Sequence, residues 1–470
     1  MMFGKIRNIH FIGIGGIGMS GIAELLLNQG FAISGSDLKE TTVTRRLAAL
    51  GAKVFTGHAA VNVGDAQVVV TSSAVPAANP EVVEARRLEV PVIPRAEMLA
   101  ELMRMKFSVA VAGAHGKTTV TSIIAVMLTE AGLDPTAVIG GRLDVFGSSA
   151  RLGKGDLMVA EADESDRSFL LLLPSLAVVT NIDREHLDHY RDLDEIKEAF
   201  VSFMNKTPFY GAIIACVDPP WRETLESIRP RLRRRLITYG LEPGAAIGAA
   251  GIRPCGRGSA FQITEHGTAL TEVILAVPGR HNVQNALAAA AAGLELGLDA
   301  EAIRRGLERF RGADRRFQIK AEIGGMTVVD DYGHHPAEIR ATLDAARMWG
   351  AKRIWTIFEP HRYTRTLALM DDFAGAFAGC ERVYVLEIYP ASEEPIPGVT
   401  SRRLVERMRE LGCASARLAP SADELIDEVI ADAGPGLMIL TIGAGSVWKV
   451  GEDLAEGLRA ASEAKSRARV

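Results

Sequence analysis

A glycine-rich turn with a lysine and two threonines lies between an apolar, strand-like run at 107–112 and a helix-like stretch at 120–130. Its residues are Gly113, Ala114, His115, Gly116, Lys117, Thr118 and Thr119. Such a turn binds phosphate, because backbone N–H groups and the helix dipole face the anion and the lysine adds a positive charge. We therefore expect Lys117 to bind the β- and γ-phosphates of a nucleoside triphosphate and Thr118 to bind Mg2+. His115 is either a ligand contact or an ordinary loop residue.

The spacing of this turn differs from that of the common phosphate-binding loop. The usual pattern has a glycine five residues before the glycine that precedes the lysine, and Val111 occupies that place here. Gly113 lies only three residues before Gly116. The shorter form narrows the set of families in which the turn is expected.

An acidic run follows the next apolar strand, at 157–160. Its four carboxylates are those of Glu161, Asp163, Glu164 and Asp166. Carboxylates this close repel one another unless a cation or a basic group compensates them, although many such runs are simply solvated loops. Because the run ends a strand whose neighbour carries the phosphate turn, we favour a Mg2+ site with Glu161 as a ligand. His186, after the strand-like run at 176–180, is a second candidate for this site.

A second glycine-rich turn lies near the start of the chain. Its glycines are Gly13, Gly15, Gly16 and Gly18, and Asp37 follows Gly18 by nineteen residues. The pattern matches the dinucleotide fingerprint and, taken alone, favours a nicotinamide-dependent oxidoreductase. A tight turn without a ligand is the structural alternative. The functional interpretation requires only a ligand that contains a diphosphate.

Polar clusters recur toward the C-terminus. His281 and Asn285 open an alanine-rich helix, where they either cap the helix or hydrogen-bond a base. Further clusters lie after strand-like runs, and arginines there suit carboxylates and phosphates because they donate in a planar fork. Their members include Arg316, Tyr332, His334, Arg362 and Arg365. These clusters indicate a second part of a binding site.

Composition excludes several classes of protein. The chain has 470 residues, of which 48% are hydrophobic and 24% charged, and no apolar run approaches the ~20 residues of a membrane span. The start of the chain lacks a secretory pattern, so a cytoplasmic protein is expected. Four cysteines without Cys-x-x-Cys spacing indicate neither zinc nor disulfides. A net charge of -5 gives no reason to expect a nucleic acid, despite an arginine-rich run at 229–235.

The alternation of strand-like and helix-like segments predicts an α/β fold class with three domains. The pattern predicts a first domain at 1–104, a second at 105–311 and a third at 312–470. Each begins with a strand-like run, at 9–14, 107–112 and 326–329. Ligands are expected at the carboxyl ends of the parallel strands.

Taken together and in order, the motifs closely resemble those of the Mur ligase family. The motifs are 113–119, 161–166, the Gly-Arg-His-Asn-Val segment at 279–283, the Asp-Asp-Tyr-Gly-His-His-Pro segment at 330–336 and the Pro-His-Arg-Tyr-Thr-Arg-Thr segment at 360–366. The resemblance extends from His10 to Gly445. Glu359 departs from the family pattern, which usually has glutamine at that position, and Ser149 stands where asparagine is common.

The resemblance implies a Rossmann-like N-terminal domain that holds a UDP-sugar, a P-loop-type central ATPase domain and a Rossmann-like C-terminal domain that closes on nucleotide and amino acid. The first glycine turn would then bind UDP diphosphate, which replaces the oxidoreductase interpretation. No nucleic acid or membrane insertion is expected, and the oligomeric state stays open.

The resemblance also assigns site residues. The UDP-sugar positions are Gly15, Gly16, Gly18, Asp37, Thr71, Ser72, Ser73 and Arg95. The ATP positions are 113–119, His281, Asn285 and Arg316, and the metal positions are Thr118, Glu161 and His186. Tyr332, Arg362 and Arg365 match positions around the incoming amino acid. The residues expected to act in catalysis are Lys117, Glu161, His186, His334 and Arg365.

The reaction implied is the ATP-dependent joining of L-alanine to the lactyl carboxylate of UDP-N-acetylmuramate through an acyl phosphate, giving ADP and phosphate, in peptidoglycan precursor synthesis. One alternative within the family is a recycling ligase that attaches a tripeptide to the same sugar. The segment Tyr332 to His335 and the motif at 361–366 argue against it. A non-catalytic nucleotide-binding module is the remaining alternative.

Overall fold

The structure is a computed structural model that describes residues 4–72, 74–143, 148–185, 189–419 and 421–467. The chain divides into two compact units. The first comprises 1–251, 261–273 and 284–310, and the second comprises 252–260, 274–283 and 311–470. A five-stranded sheet and most of a ten-stranded sheet belong to the first unit, and a six-stranded sheet belongs to the second.

The first sheet is entirely parallel. Its strands are β1 (Asn8–Ile12), β2 (Ala32–Asp37), β3 (Lys53–Thr56), β4 (Val68–Thr71) and β5 (Val92–Pro94), in the order β3-β2-β1-β4-β5. The helices are α1 (Ile17–Asn28), α2 (Thr42–Ala49), α3 (Pro80–Arg87) and α4 (Arg95–Met103), and a 3-10 turn spans Ala60–Val63. β1 is buried from Ile9 to Ile12 because helices cover both faces of such a sheet. Asn79 caps α3, and Pro80 takes its first position, where no N–H is needed.

The second sheet has ten strands. They are β6 (Phe107–Ala112), β7 (Thr136–Leu143), β8 (Ser148–Arg151), β9 (Leu157–Glu161), β10 (Leu176–Val179), β11 (Ala212–Cys216), β12 (Arg235–Gly240), β13 (Ile247–Cys255), β14 (Gly258–Glu265) and β15 (Thr268–Leu275), in the order β15-β14-β13-β12-β11-β10-β6-β9-β7-β8. The helices are α5 (Lys117–Glu130), α6 (Leu193–Asn205), α7 (Trp221–Ile228), α8 (Arg280–Glu295) and α9 (Ala300–Arg309), with 3-10 turns at Ser168–Leu171 and Arg229–Arg231. β6 pairs in parallel with both β9 and β10. The segments that follow these three strands therefore lie side by side.

The third sheet has six strands. They are β16 (Gln318–Ile323), β17 (Met326–Asp331), β18 (Arg353–Phe358), β19 (Arg382–Val385), β20 (Ala416–Leu418) and β21 (Leu437–Ile442), in the order β16-β17-β21-β18-β19-β20. The helices are α10 (Pro336–Met348), α11 (Tyr363–Ala368), α12 (Met370–Ala374), α13 (Ser401–Glu410), α14 (Ala422–Asp432) and α15 (Val447–Arg467). Only β16 runs antiparallel to its neighbour. The carboxyl ends of β17, β21 and β18 are consequently adjacent.

The predicted α/β fold class is confirmed, and the three predicted domains each contain one of the three sheets. Their exact boundaries stay predictions. Among the helices in the described ranges, none is both long and apolar enough to cross a membrane.

Candidate active site

The predicted phosphate turn connects β6 to α5, as the sequence indicated. Gly113 and Gly116 both have positive φ, 132° and 83°, and Gly116 takes the position just before the helix begins. A methyl group at Gly113 would lie 2.9 Å from the backbone nitrogen of Asn181 and closer still to the hydroxyl of Thr180. The turn therefore needs glycine for its conformation and for the close approach of the next strand.

Two side chains after β10 hold the turn in place. Thr180 Oγ1 donates to the carbonyl oxygen of His115 over 2.6 Å, and Asn181 Nδ2 donates to the same oxygen over 2.9 Å. Asn181 Oδ1 in turn accepts from the backbone N–H of His115 over 2.8 Å. His115 Nε2 lies 3.3 Å from Asp183 Oδ2. These contacts make His115 a fixed part of the loop, and its contact with a ligand stays a prediction.

Lys117 is surrounded by oxygen atoms. Its Nζ donates to the carbonyls of Gly113 over 2.6 Å and Ala114 over 3.2 Å, and to Glu164 Oε1 over 2.8 Å. Burial alone would lower the pKa of Lys117, but the charges of Glu164 and the other carboxylates of the acidic run outweigh it and raise the pKa. The ammonium is therefore charged, buried and fixed at the phosphate turn.

Thr118 and Glu161 form the predicted metal pair. Thr118 Oγ1 donates to Glu161 Oε1 over 3.1 Å, and the backbone N–H of Gly140 donates to Glu161 Oε2 over 2.7 Å. Burial raises the pKa of Glu161 against the opposing charge of Lys117. A hydroxyl and a buried carboxylate are hard oxygen ligands of the kind that Mg2+ takes. The donor set therefore fits the predicted cation. His186, the third predicted metal position, lies outside the described residues.

Asn285 reaches the same turn from α8. A methyl group at Gly116 would lie 2.7 Å from Asn285 Oδ1, so the side chain is next to the turn. Its neighbour Gln284 donates through Nε2 to Asp218 Oδ2 over 2.6 Å. The amide groups of Asn285 and Gln284 suit hydrogen bonding with a base, and the contact of Asn285 with a nucleotide stays a prediction.

The N-terminal glycine turn contacts Asp37 and Arg95. The backbone N–H of Gly15 donates to Asp37 Oδ2 over 2.9 Å, and the N–H groups of Gly13 and Ile14 donate to the carbonyl of Ser36 over 2.8 and 3.0 Å. Gly16 takes the position just before α1 begins. The end of β2 thus holds the turn through both backbone and side chain.

Arg95 lies between the glycine turn and the acidic run of the second sheet. A methyl group at Gly18 would lie 2.7 Å from Arg95 Nη1, and Arg95 Nη2 is 3.9 Å from Asp163 Oδ2. Burial raises the pKa of Asp163, but Lys117, Ser165 and Arg95 lower it by more. Arg95 therefore connects the predicted UDP-sugar and phosphate positions.

The other predicted sugar positions follow β4. Thr71 is the last residue of this strand and Ser72 comes next, with Thr71 Oγ1 3.4 Å from the carbonyl of Ser72. β4 pairs with β1, whose end carries the glycine turn. Ser73 lies outside the described residues.

The second unit brings together several of the remaining positions. The guanidinium groups of Arg315 and Arg316 lie 5.0 and 5.3 Å from the centroid of the Tyr332 ring. Arg315 is held by Asp330 over 2.9 Å. Arg316 also pairs with Glu338 at 3.2 Å. Cations at this distance from an aromatic ring attract it, so Tyr332 has a defined orientation.

His334 and Arg365 meet through His361. The rings of His334 and His361 are 6.0 Å apart, and Arg365 Nη1 lies 3.3 Å from His361 Nδ1. His361 also stacks on Tyr389 with centroids 5.5 Å apart. Burial, together with the electrostatic effect of His334 and the nearby arginines, lowers the pKa of His361 to about 3. His361 is therefore neutral near pH 7 and can accept a hydrogen bond from Arg365.

Arg362 immediately precedes α11 and has a positive φ of 73°. Its Nη1 is 3.9 Å from Glu393 Oε1, and Glu393 also accepts from the N–H and the hydroxyl of Thr364 over 3.0 and 2.6 Å.

Glu359 accepts from Ser446 Oγ over 2.8 Å and from the N–H of Val447, at the start of α15. The family departure at this position therefore leaves a satisfied carboxylate.

His281 is the remaining predicted adenine-side residue. Burial, followed by the charge of Arg316, lowers the pKa of His281 to about 4, so the imidazole is neutral near pH 7. A neutral imidazole suits contact with an uncharged base better than a charged one does.

Several polar residues of these sites escaped the sequence-based assignment. Glu164 was recognised only as part of an acidic run, because nothing local shows which carboxylate meets Lys117. Asn181 directly follows the strand-like run at 176–180, and His361 lies in the motif at 360–366, next to Arg362. Glu393 had no local pattern, since its partner Thr364 is 29 residues away in the sequence.

Family models match nearly the whole chain. The models are described as Mur ligase family, catalytic domain, over residues 8–107; Mur ligase middle domain, over 111–293; and Mur ligase, glutamate ligase domain, over 315–445. A UDP-N-acetylmuramate–L-alanine ligase of Solibacter usitatus is 54% identical over 97% of this chain and 97% of its own length. The protein of the same description from a Geobacter species is 52% identical over 98% and 100%.

Solved structures agree with these matches. A UDP-N-acetylmuramate–alanine ligase from Thermotoga maritima superposes with a TM-score of 0.82 and is 29% identical, over 97% of this chain and 99% of its own. A murein peptide ligase from Psychrobacter arcticus has a TM-score of 0.69 at 24% identity, over 96% and 98%. The second match supports the fold alone.

Proposed function

Because the chain belongs to the Mur ligase family, we propose that it joins L-alanine to the lactyl carboxylate of UDP-N-acetylmuramate, with ATP converted to ADP and phosphate. Relatives described as ligases of these two substrates match at up to 54% identity over nearly their whole length. The product would be a precursor of peptidoglycan. The predicted cytoplasmic location stays a prediction.

The observation that carries this proposal is the arrangement around Lys117. A charged ammonium is fixed on the phosphate turn, and the carboxylate of Glu161 lies beside the hydroxyl of Thr118 at 3.1 Å. We assign ATP phosphates to this turn and Mg2+ to this pair. When bound, Mg2+ would neutralise charge on the phosphates.

A carboxylate is a poor electrophile, so it must first be activated. An oxygen of the lactyl carboxylate attacks the γ-phosphorus and ADP leaves, which gives an acyl phosphate. The amine of L-alanine then attacks the acyl carbon, loses a proton and displaces phosphate. Lys117 stabilises the charge of the transferring phosphoryl group, which is the main requirement in such reactions.

The second unit supplies the groups suited to an amino acid. We assign the L-alanine carboxylate to Arg365, whose planar guanidinium is held by His361, with Arg362, Tyr332 and His334 nearby in the same cluster. A guanidinium matches a carboxylate with two parallel hydrogen bonds. Arg316, His281 and Asn285 are assigned to the nucleotide.

The UDP-sugar is assigned to the first sheet, with its diphosphate on the turn that contains Gly15, Gly16 and Gly18. Asp37, Thr71, Ser72, Ser73 and Arg95 complete this proposed site. We also propose domain boundaries at 104 and 311. The second lies in the gap between the matched segments 111–293 and 315–445, and the first lies three residues before the end of the matched segment 8–107.

Phosphate release tests the proposal. Purified protein is supplied with ATP, Mg2+ and UDP-N-acetylmuramate, and either L-alanine or the tripeptide L-alanyl-γ-D-glutamyl-meso-diaminopimelate is added. We expect phosphate release that depends on L-alanine and on the UDP-sugar, with the alanylated product identified by mass spectrometry. Release that depends on the tripeptide alone would contradict the proposed substrate and support the recycling reaction. Absence of release with either acceptor would contradict the ligase activity.

A further inference from the structure

A buried carboxylate lies beneath the carboxyl ends of the strands in the first sheet. Glu81, near the start of α3, is completely inaccessible to solvent. Its Oε2 accepts from Ser36 Oγ over 2.5 Å, and its Oε1 accepts from Asn62 Nδ2 over 2.6 Å and from the backbone N–H of Ala59 over 3.2 Å. His10 Nε2 lies 3.5 Å from Oε2. The carboxylate therefore gathers donors from three different segments of the domain.

These hydrogen bonds determine where the protons of the network lie. Ser36 has one hydroxyl proton, which it donates to Glu81. Its oxygen can then only accept from His58, whose Nδ1 is 2.9 Å away. His58 must therefore carry a proton on Nδ1. In the neutral imidazole, this leaves Nε2 as a hydrogen-bond acceptor.

His10 is arranged in the opposite sense. Because an ionised Glu81 only accepts, His10 Nε2 carries the proton that faces it. His10 Nδ1 then accepts from the hydroxyl of Ser34 over 2.9 Å. Hydrogen bonds from His10, Ser36 and Asn62 lower the pKa of Glu81 to about 2 although burial opposes them. Glu81 is thus ionised at neutral pH, and the network has one consistent set of donors.

The network lies directly behind the glycine turn of the predicted UDP-sugar site. Ser36 precedes Asp37, and the carbonyl of Ser36 accepts from the turn residues Gly13 and Ile14. The N–H of Gly57 donates to the carbonyl of Asp37 over 2.7 Å, which places His58 at the ends of β2 and β3. Ligands of open parallel sheets bind outside these ends. The side chain of His58 is 17% exposed, so this end of the network is open to solvent.

We propose that Glu81 is a positioning residue that, through Ser36, holds His58 in the tautomer whose Nε2 accepts a hydrogen bond from the nucleoside half of the UDP-sugar. Ribose hydroxyls and the N3–H of uracil are donors of the required kind. This inference rests on the proposed function of the first domain as the UDP-sugar site. His58 contacts the nucleoside, and Glu81 orients His58.

Steady-state kinetics of E81Q tests the proposal. Glutamine keeps the size of the side chain but has only one accepting oxygen, and Asn62 Nδ2 and the N–H of Ala59 can only donate to it. The NH2 group of the glutamine therefore faces Ser36, which no longer has to donate there, so His58 loses its fixed tautomer. We expect the KM for UDP-N-acetylmuramate to rise about tenfold, while kcat and the KM for ATP change less than about twofold. The matched control is E84Q, because Glu84 lies on the same helix and pairs with Arg87 at the surface. E84Q should leave all three constants unchanged.

A double-substitution cycle separates positioning from a general structural role. H58L removes the acceptor, whereas H58Q keeps an acceptor near the position of Nε2. We expect H58L to raise the KM for the UDP-sugar, H58Q to recover part of this loss, and E81Q/H58L to be no worse than H58L alone. Fully additive effects of E81Q and H58L on KM would overturn the proposal, since Glu81 would then act independently of His58.

Thermal unfolding shows whether E81Q is folded at the assay temperature. If it is not, S36A replaces it, because this change removes the hydroxyl between Glu81 and His58 and keeps the carboxylate. The same rise in KM is then expected, and an unchanged KM would overturn the proposal. The wild-type protein distinguishes failure of this proposal from failure of the proposed function. Wild-type turnover that does not depend on the UDP-sugar contradicts the proposed function. Wild-type turnover that does depend on it, with an unchanged KM for the UDP-sugar in the variant, contradicts only the role of Glu81.

Discussion

The ammonium group of Lys117 is both charged and held in one position. Its ammonium is held by two loop carbonyls and by Glu164, and the surrounding carboxylates raise its pKa, so it stays protonated throughout the neutral range. A flexible surface lysine would lose rotamer entropy on binding phosphate, whereas Lys117 has already lost most of it on folding. The ammonium is therefore already positioned to stabilise negative charge on the transferring phosphoryl group.

Replacement of this side chain tests its role in the chemical step. We expect K117M to lower kcat by at least about a hundredfold, because the loss of one preorganised charge or donor costs roughly that factor. Single-turnover measurement of γ-phosphate transfer from labelled ATP reports this step. The control K197M alters a lysine on α6 that pairs with Asp194 and lies in none of the proposed sites. A K117M enzyme with normal turnover would contradict the assignment.

The glycine turn before α5 works as an element because the neighbouring strand supports it. Thr180 and Asn181, which follow β10, donate to the carbonyl of His115 and leave no space for a side chain at Gly113. Backbone N–H groups can therefore face a phosphate in a fixed arrangement. The strand order β10-β6-β9 brings these supports and the acidic run to opposite sides of the same turn.

G113A should consequently abolish binding of ATP without unfolding the protein. The added methyl group meets Asn181 at 2.9 Å and the φ of 132° is strained for alanine, so the turn must move. Titration calorimetry with a non-hydrolysable ATP analogue measures the effect. G132A is the control, because Gly132 also has a positive φ of 76° at the other end of α5 but has no neighbour within 4 Å of the new methyl group. Equal ATP affinities of the two variants would refute the steric argument.

The docking of α3 on the first sheet should depend on pH. The pKa of Glu81 falls from 4.5 to about 2 on folding, so its charge contributes stability above pH 4.5 that is lost progressively as the pH falls toward about 2. A shift of that size corresponds to about 3 kcal/mol. We expect the difference in Tm between wild type and E81Q to be largest near pH 7 and to narrow by pH 3.5. Calorimetric scans across this range measure it, and a gap independent of pH would exclude ionised Glu81 as the cause.

At the scale of the whole molecule, three sheets carry three chemically different sets of residues. The periodicity of apolar runs was enough to predict the α/β class. The glycine, lysine and acidic motifs were enough to predict that the turn at 113–119 and Glu161 follow neighbouring strands, and their ligands stay predictions. Glu164, Glu81 and Glu393 could not be found in this way. Their partners lie 47, 45 and 29 residues away in the sequence, and only the folded chain brings such pairs together.

Hydrogen exchange measured by mass spectrometry tests how the ligands are distributed over the chain. We expect UDP-N-acetylmuramate to slow exchange of backbone amides at 13–18 and 57–62, and an ATP analogue with Mg2+ to slow exchange at 113–119. The physical reason is that a bound anion occupies the N–H groups of each glycine turn. UDP alone is a control that should protect 13–18 and 57–62 and leave 113–119 unchanged. Protection of 113–119 by the UDP-sugar in place of 13–18 would contradict the domain assignment.

Arg95 gives these two regions a thermodynamic connection. The guanidinium approaches Gly18 on one side and Asp163 on the other, and Asp163 contributes to the charge that surrounds Lys117. A ligand that draws Arg95 away from Asp163 must change the affinity for whatever binds beside Lys117, and linkage requires the reverse effect to be equally large. Binding of the UDP-sugar would then change the affinity for ATP, and binding of ATP would change the affinity for the UDP-sugar by the same factor.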